Sequence, residues 1–200
     1  MKVLILFILF NCSVFCQSTE KKGYLFDETG KEISQAIFDK QAKTGNYTWT
    51  TYETKDSINA RLVLLEEYGK IDALQKQQII DYLKEISGVT LSEEQTIIIN
   101  FSFLKDTPNQ RHCIDYYTSI KSYRNYFKNK KQFAQFYISQ KGFSYRKDFV
   151  FEDKDDLIRK LFFGFGNSCT YVIIRPDGRF FKNMGEHHQD KIPEKAAADW

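Results

Sequence analysis

The 200-residue sequence predicts a mixed α/β protein, in which a sheet of about four or more strands is flanked by helices and preceded by an N-terminal α+β extension. Two observations predict it. Thr96-Ile97-Ile98-Ile99-Asn100-Phe101 is a short apolar run, the mark of a strand covered on both faces. From that run onward the order reads strand, helix, strand, helix, strand, turn, strand, helix, and a strand–helix–strand unit implies a parallel pair with a right-handed crossover. A hydrophobic fraction of 42% and 16% aromatic residues supply a core and exclude a disordered chain.

The first element is an export signal. Lys2 precedes eight apolar residues, too short a run to span a bilayer, and a cut after Cys16 is expected. Lipid attachment through Cys12 or Cys16 is an alternative, although Asn11 and Phe15 are poor residues before such a cysteine; an uncleaved anchor is another. With residues 1–16 removed, 184 residues of net charge +2 remain, so no electrostatic case for nucleic acid follows. The partition expected is 1–16 signal peptide, 17–94 extension and 95–200 main domain.

In the extension, Tyr24-Leu25-Phe26 reads as a strand before the turn Asp27-Glu28-Thr29-Gly30. Residues 33–43 read as a short helix with Ile37 and Phe38 inward, and 47–52 and 57–65 as strands. The clearest helix is 71–87, where Ile71, Leu74, Ile79, Ile80, Leu83 and Ile86 recur at helical period, Asp72 caps the start and Gly88 the end. After the 96–101 strand come a helical stretch over 111–130, continuous or broken in its middle, a strand over 133–139 and a helix over 155–163 with acids in its first turn. A hairpin follows, 170–174 and 180–184 about Pro176-Asp177-Gly178, and then a last helix after Pro193.

The segment NSCTYVIIRPDGRFFKNMGEH, residues 167–187, with its strand, P-D-G turn, second strand and Gly185-Glu186, resembles exported TlpA-like thioredoxins. TIIINF resembles that family's central strand. The resemblance spans about 90–100 residues, which is the extent of one small domain. It implies a thioredoxin-like fold, with the start of the first helix facing the loop that carries the family's cis-proline. The sequence departs from the family at both places. No C-x-x-C occurs; the corresponding loop reads FLKDTPNQRHC, and Cys169 stands at the cis-proline position. Nor does the spacing of Pro108 and Cys113 meet the peroxiredoxin pattern P-x-x-x-T/S-x-x-C.

Cys113 and Cys169 are the only cysteines beyond residue 16 and are the candidate site. In the implied fold they share one edge of the sheet. Three readings stand: a structural disulfide closing a 56-residue separation, a redox pair with Arg111 and His112 lowering the Cys113 pKa, and two free thiols. The function expected is a non-catalytic binding or scaffold protein of the bacterial envelope or secreted space, with a protein or peptide partner and no cofactor. The alternative is a thiol–disulfide oxidoreductase using Cys113 and Cys169.

Three other features carry weaker readings. His187 and His188, near Glu186 and Asp190, are metal-ligand types, but neighbours on a strand end point apart, so no metal is expected. Lys121, Arg124, Lys128, Lys130 and Lys131 interleave with Tyr123, Tyr126 and Phe127, as on nucleic-acid or acidic-partner surfaces; near-neutral charge and export argue against nucleic acid, and a solvated helix face is the simpler reading. Tyr47, Trp49 and Tyr52 are read as one strand face, either a binding platform or core beneath a helix.

Overall fold

The computed structural model describes residues 21–103, 113–164, 166, 169–185 and 189–200; the export signal, Cys12 and Cys16 lie outside them. A three-stranded sheet comes first, of β1 (Lys22–Phe26), β2 (Tyr47–Glu53) and β3 (Ser57–Leu64), with helix α1 (Gln35–Ala42). Its order is β1-β3-β2, β1 parallel and β2 antiparallel to β3. The Asp27 carboxylate shapes the turn after β1, accepting the Thr29 and Lys31 amides at 3.0 and 2.9 Å and the Thr29 hydroxyl at 2.7 Å. The hydroxyl bond, foremost, holds that carboxyl below its usual pKa. Ser34 caps α1 by accepting the Ile37 amide. Phe38 is buried edge-on to Trp49 at 6.3 Å, but Ile37, expected inward, is exposed. One residue of offset on a two-turn helix turns the side chain from the sheet to water.

The larger sheet has six strands in the order β4-β9-β8-β5-β6-β7. They are β4 (Glu66–Lys70), β5 (Thr96–Ser102), β6 (Phe133–Ser139), β7 (Val150–Glu152), β8 (Cys169–Ile174) and β9 (Arg179–Asn183). β5 runs parallel to β6 in the register Ile97↔Ala134, and antiparallel to β8 in the register Ser102↔Cys169. The β8–β9 hairpin closes at Gly178, whose φ of +84° and amide bond to the Arg175 carbonyl demand glycine; a Cβ there would also strike the Ile71 carbonyl.

Every residue of β5 is buried, because both faces are covered. Ile97, Ile99 and Phe101 meet helix α2 (Ala73–Ser87) and a single π-helical turn, Arg159–Phe163, through Ile79, Leu83, Ile158, Phe162 and Phe163. Ile98 points the other way, with Tyr171, Ile173 and Phe181, to α3 (Cys113–Ser119), α4 (Lys121–Lys128) and α5 (Lys191–Ala197). The helical stretch expected over 111–130 is thus two helices, broken at Ile120. α2 has the full capping box: Asp72 accepts the Gln75 amide and Gln75 returns a bond to the Asp72 amide. Leu74, read as inward, is exposed in its first turn.

β4 and α2 fall within the 17–94 span that the sequence assigns to the extension, yet both build the larger sheet and its core. The change of sheet comes at Leu65, not at 94. Its amide donates to the Asn46 carbonyl beside β2, and its carbonyl accepts the Met184 amide beside β9. The reason is pairing: β4 lies antiparallel along β9 over five residues, so it covers the sheet edge that the β8–β9 hairpin leaves open.

Asp153 organises the approach to the π-helical turn. Its carboxylate, fully buried, accepts the Tyr82 hydroxyl at 2.8 Å and the Leu157, Ile158 and Arg159 amides at 2.9, 3.3 and 2.9 Å. Next to it Asp156 takes a left-handed φ of +62°, and its carboxylate grips the Arg159 guanidinium through two bonds of 2.5 Å. Those bonds hold the Asp156 carboxyl below its usual pKa.

Candidate functional site

The candidate site lies where β5 ends, α3 begins and β8 begins. The fully buried strand β5 delivers Ser102 to this edge, opposite Cys169 in the antiparallel register. Cys113 is the first residue of α3, and Cys113 and Cys169 are joined by a disulfide, their Cα atoms 5.1 Å apart. The structure thus brings together the two cysteines that the sequence singled out. Arg111 and His112, invoked to lower the Cys113 pKa, lie outside the described residues, as do Glu186, His187 and His188.

The surroundings of the bond are built rather than open. Cys113 is 3% exposed, and Cys169 is half-buried. The Ile114 amide donates to the Ser102 hydroxyl at 3.3 Å. One turn later the Tyr117 hydroxyl donates to the Thr170 carbonyl at 2.9 Å. The helix is therefore tied to the sheet by one covalent bond and two hydrogen bonds within two turns. Exchange chemistry needs a thiolate to reach a sulfur, and the Cys169 side alone offers that approach.

Below the site runs a polar layer that the sequence reading missed. Tyr117, Tyr123, Tyr137 and Tyr171 are all 5% exposed or less, between the sheet and helices α3 and α4. The Tyr123 hydroxyl donates to Asn100 Oδ1 at 2.5 Å, and Asn100 Nδ2 donates to the Phe136 carbonyl at 3.2 Å. A signal was available: Asn100 interrupts the apolar run TIIINF, and a central strand carries such a residue when a polar partner meets it. Burial pushes all four hydroxyls above their usual value of 10.0.

A phenol whose folded pKa is raised stays protonated in the folded state while the unfolded chain ionises near pH 10. Stability is complete below pH 10 and falls as pH rises above it, by about 1.4 kcal/mol per pH unit for each such tyrosine. Alkaline titration followed by phenolate absorbance is expected to show these four hydroxyls ionising only together with loss of the fold. Gradual ionisation of all twelve with the circular dichroism intact would contradict it.

Tyr47 and Trp49 share one face of β2, but Tyr52 has the opposite parity and faces away, so the three form no common platform. In α4, Tyr123 and Phe127 are buried while Lys121 and Lys128 are exposed, as on a helix laid against the core. A separate cleft of about 240 Å³ lies between the two sheets; in its wall Lys182 pairs with Glu67 at 2.9 Å and Arg61 donates to the Glu28 backbone carbonyl at 2.6 Å, while Glu28 Oε2 is buried with no donor among the described residues. Among the described residues no cluster of three His, Cys, Asp or Glu could hold a metal ion, and no helix is long and apolar enough to cross a membrane. No family model, curated protein or solved structure matches the chain.

Proposed function

We propose that this chain is an exported thioredoxin-like protein lacking the usual dithiol site, and that it serves as a non-catalytic binding or scaffold protein for a protein or peptide partner of the bacterial envelope. Parallel pairing of β5 with β6, and β8 laid antiparallel on β5 with β9 beyond it, supports the fold. The observation that carries the functional reading is the burial of Cys113 behind a bond braced by Ser102 and Tyr117. A thiol that must form and reform as a nucleophile needs exposure and room to move. Here the bond is the covalent tie between the start of α3 and the sheet.

The alternative, a thiol–disulfide oxidoreductase using Cys113 and Cys169, draws on the partial exposure of Cys169. Equilibration against thiol buffers separates the two. A reduction potential below about −300 mV marks an inert staple, and one near −200 mV marks an exchanging pair. Insulin reduction by the wild type is expected to match that of the Cys113→Ser and Cys169→Ser variants. A faster wild type would replace the binding reading by the enzymatic one.

A further inference from the structure

The charge of this chain is unevenly placed. Residues 121–149 hold eight Lys and Arg against the single acid Asp148, a net of +7 in a chain of net +3, which leaves the remainder at −4. Some of the cations elsewhere pair with carboxylates, as in Lys182–Glu67, Arg159–Asp156 and Arg179–Asp177. Among the described residues Lys121, Arg124, Lys128, Lys130, Arg146 and Lys147 have no salt bridge.

These cations gather about aromatic rings. Arg124 and Lys147 both stand over Phe149, 5.3 and 5.8 Å from its centroid, and Lys130 lies 3.7 Å from the centroid of Tyr126. Beneath them are two buried donors with no acceptor among the described residues, Arg124 Nε and the Tyr137 hydroxyl. Tyr137 is 5% exposed, and its ring lies 5.8 Å from Phe149. Donors without acceptors beside unpaired cations suit an anionic group from outside. The acids nearby are few: Asp115 accepts the Tyr145 hydroxyl, Asp148 adjoins Lys147, and Asp190 stands at the start of α5.

On its other flank α4 borders a largely apolar cleft of about 540 Å³, walled by Ile120, Ser122, Tyr126, Gln189, Asp190 and Pro193. It is concave and of the size that receives a side chain. The geometry points to α4 and the 145–149 loop as the docking surface for an acidic peptide segment that seats one large apolar side chain in this cleft and lays its carboxylates across Arg124, Lys128 and Lys147. This deepens the binding function proposed above and rests on it. A bilayer would meet a helix whose Tyr123 and Phe127 are turned into the core and unable to insert. A long nucleic acid would meet the net acidity of the remainder.

The probe is a labelled, glutamate-rich peptide with one central phenylalanine, followed by fluorescence anisotropy against the full chain. Binding is expected, weakening as salt rises. The pair Arg124→Glu and Lys128→Glu, in a chain whose circular dichroism shows it folded, weakens it by at least about tenfold. Replacing the peptide's phenylalanine by glycine weakens it by about the same factor. Ser122→Trp, which fills the cleft, makes the two peptides equal. Binding unaltered by the charge reversal, equal binding of a lysine counterpart, or preference for phosphatidylglycerol vesicles over the peptide overturns the assignment. Failure to bind together with inactivity toward insulin removes this surface alone; insulin turnover removes the binding reading as well.

Discussion

Replacing Cys113 or Cys169 by serine is expected to lower the free energy of unfolding by roughly 4 kcal/mol, the entropy of a 56-residue loop released in the unfolded chain. Guanidinium titration of each variant, and of the wild type with reductant, measures it. The three should agree, because each restores the same freedom to the unfolded state. The folded state loses less: Ile114 still donates to Ser102, and Tyr117 still reaches the Thr170 carbonyl. The transition is therefore expected to shift to a lower midpoint with a steeper slope, because the unfolded chain freed of the loop is less compact. A loss below about 1 kcal/mol would mean that the bond constrains little, and would return the pair to the exchange chemistry considered above.

A loss of similar size is expected at Asp153, which belongs to no site. Asp153→Ala leaves the Tyr82 hydroxyl and three backbone amides facing an apolar void, at a cost of about 3–5 kcal/mol. Asp153→Asn keeps the volume but turns an amide donor toward donors, so it recovers only part of the loss. Tyr82→Phe removes one donor together with its need and costs about 1 kcal/mol. Because Tyr82 and Asp153 share a bond, the double variant Tyr82→Phe with Asp153→Ala should lose less than the singles combined. Additive losses, or an Asp153→Ala variant as stable as the wild type, would show that the carboxylate does not hold this turn.

Much of this architecture is written in local pattern. The run TIIINF sends side chains to two helical layers, so its apolarity, broken inside the run only at Asn100, is the signal itself. Asp72 and Gly88 bound α2 by capping chemistry that needs no tertiary knowledge. The parallel partner of β5 follows from the helices between, and the hairpin from Pro176-Asp177-Gly178. The candidate cysteines were legible as a pair because no other cysteine lies beyond residue 16; their bond needed the register that sets Cys169 beside Ser102.

What the sequence hides is set by neighbours remote in the chain. Glu66-Glu67-Tyr68-Gly69-Lys70 has no strand signature, and its glycine reads as a breaker. In the sheet that glycine is required, because the Phe180 ring occupies the place of a Cβ. β7 is three residues long and held by its pairing with β6, so no periodicity could reveal it. The basic side of α4 looked like ordinary solvated surface; the cations of 146–147 and the bare Phe149 ring join it only through the return of the chain after β6.

The backbone of Leu65, bonded on one side to the smaller sheet and on the other to the larger, is a splice. Trimming the chain to the start of β5 would take away a border strand and the helix roofing Ile97, Ile99 and Phe101, and would uncover oily surface to water. An excision intended to leave a sound remnant has to fall before Glu66, and even there it severs the shared joint.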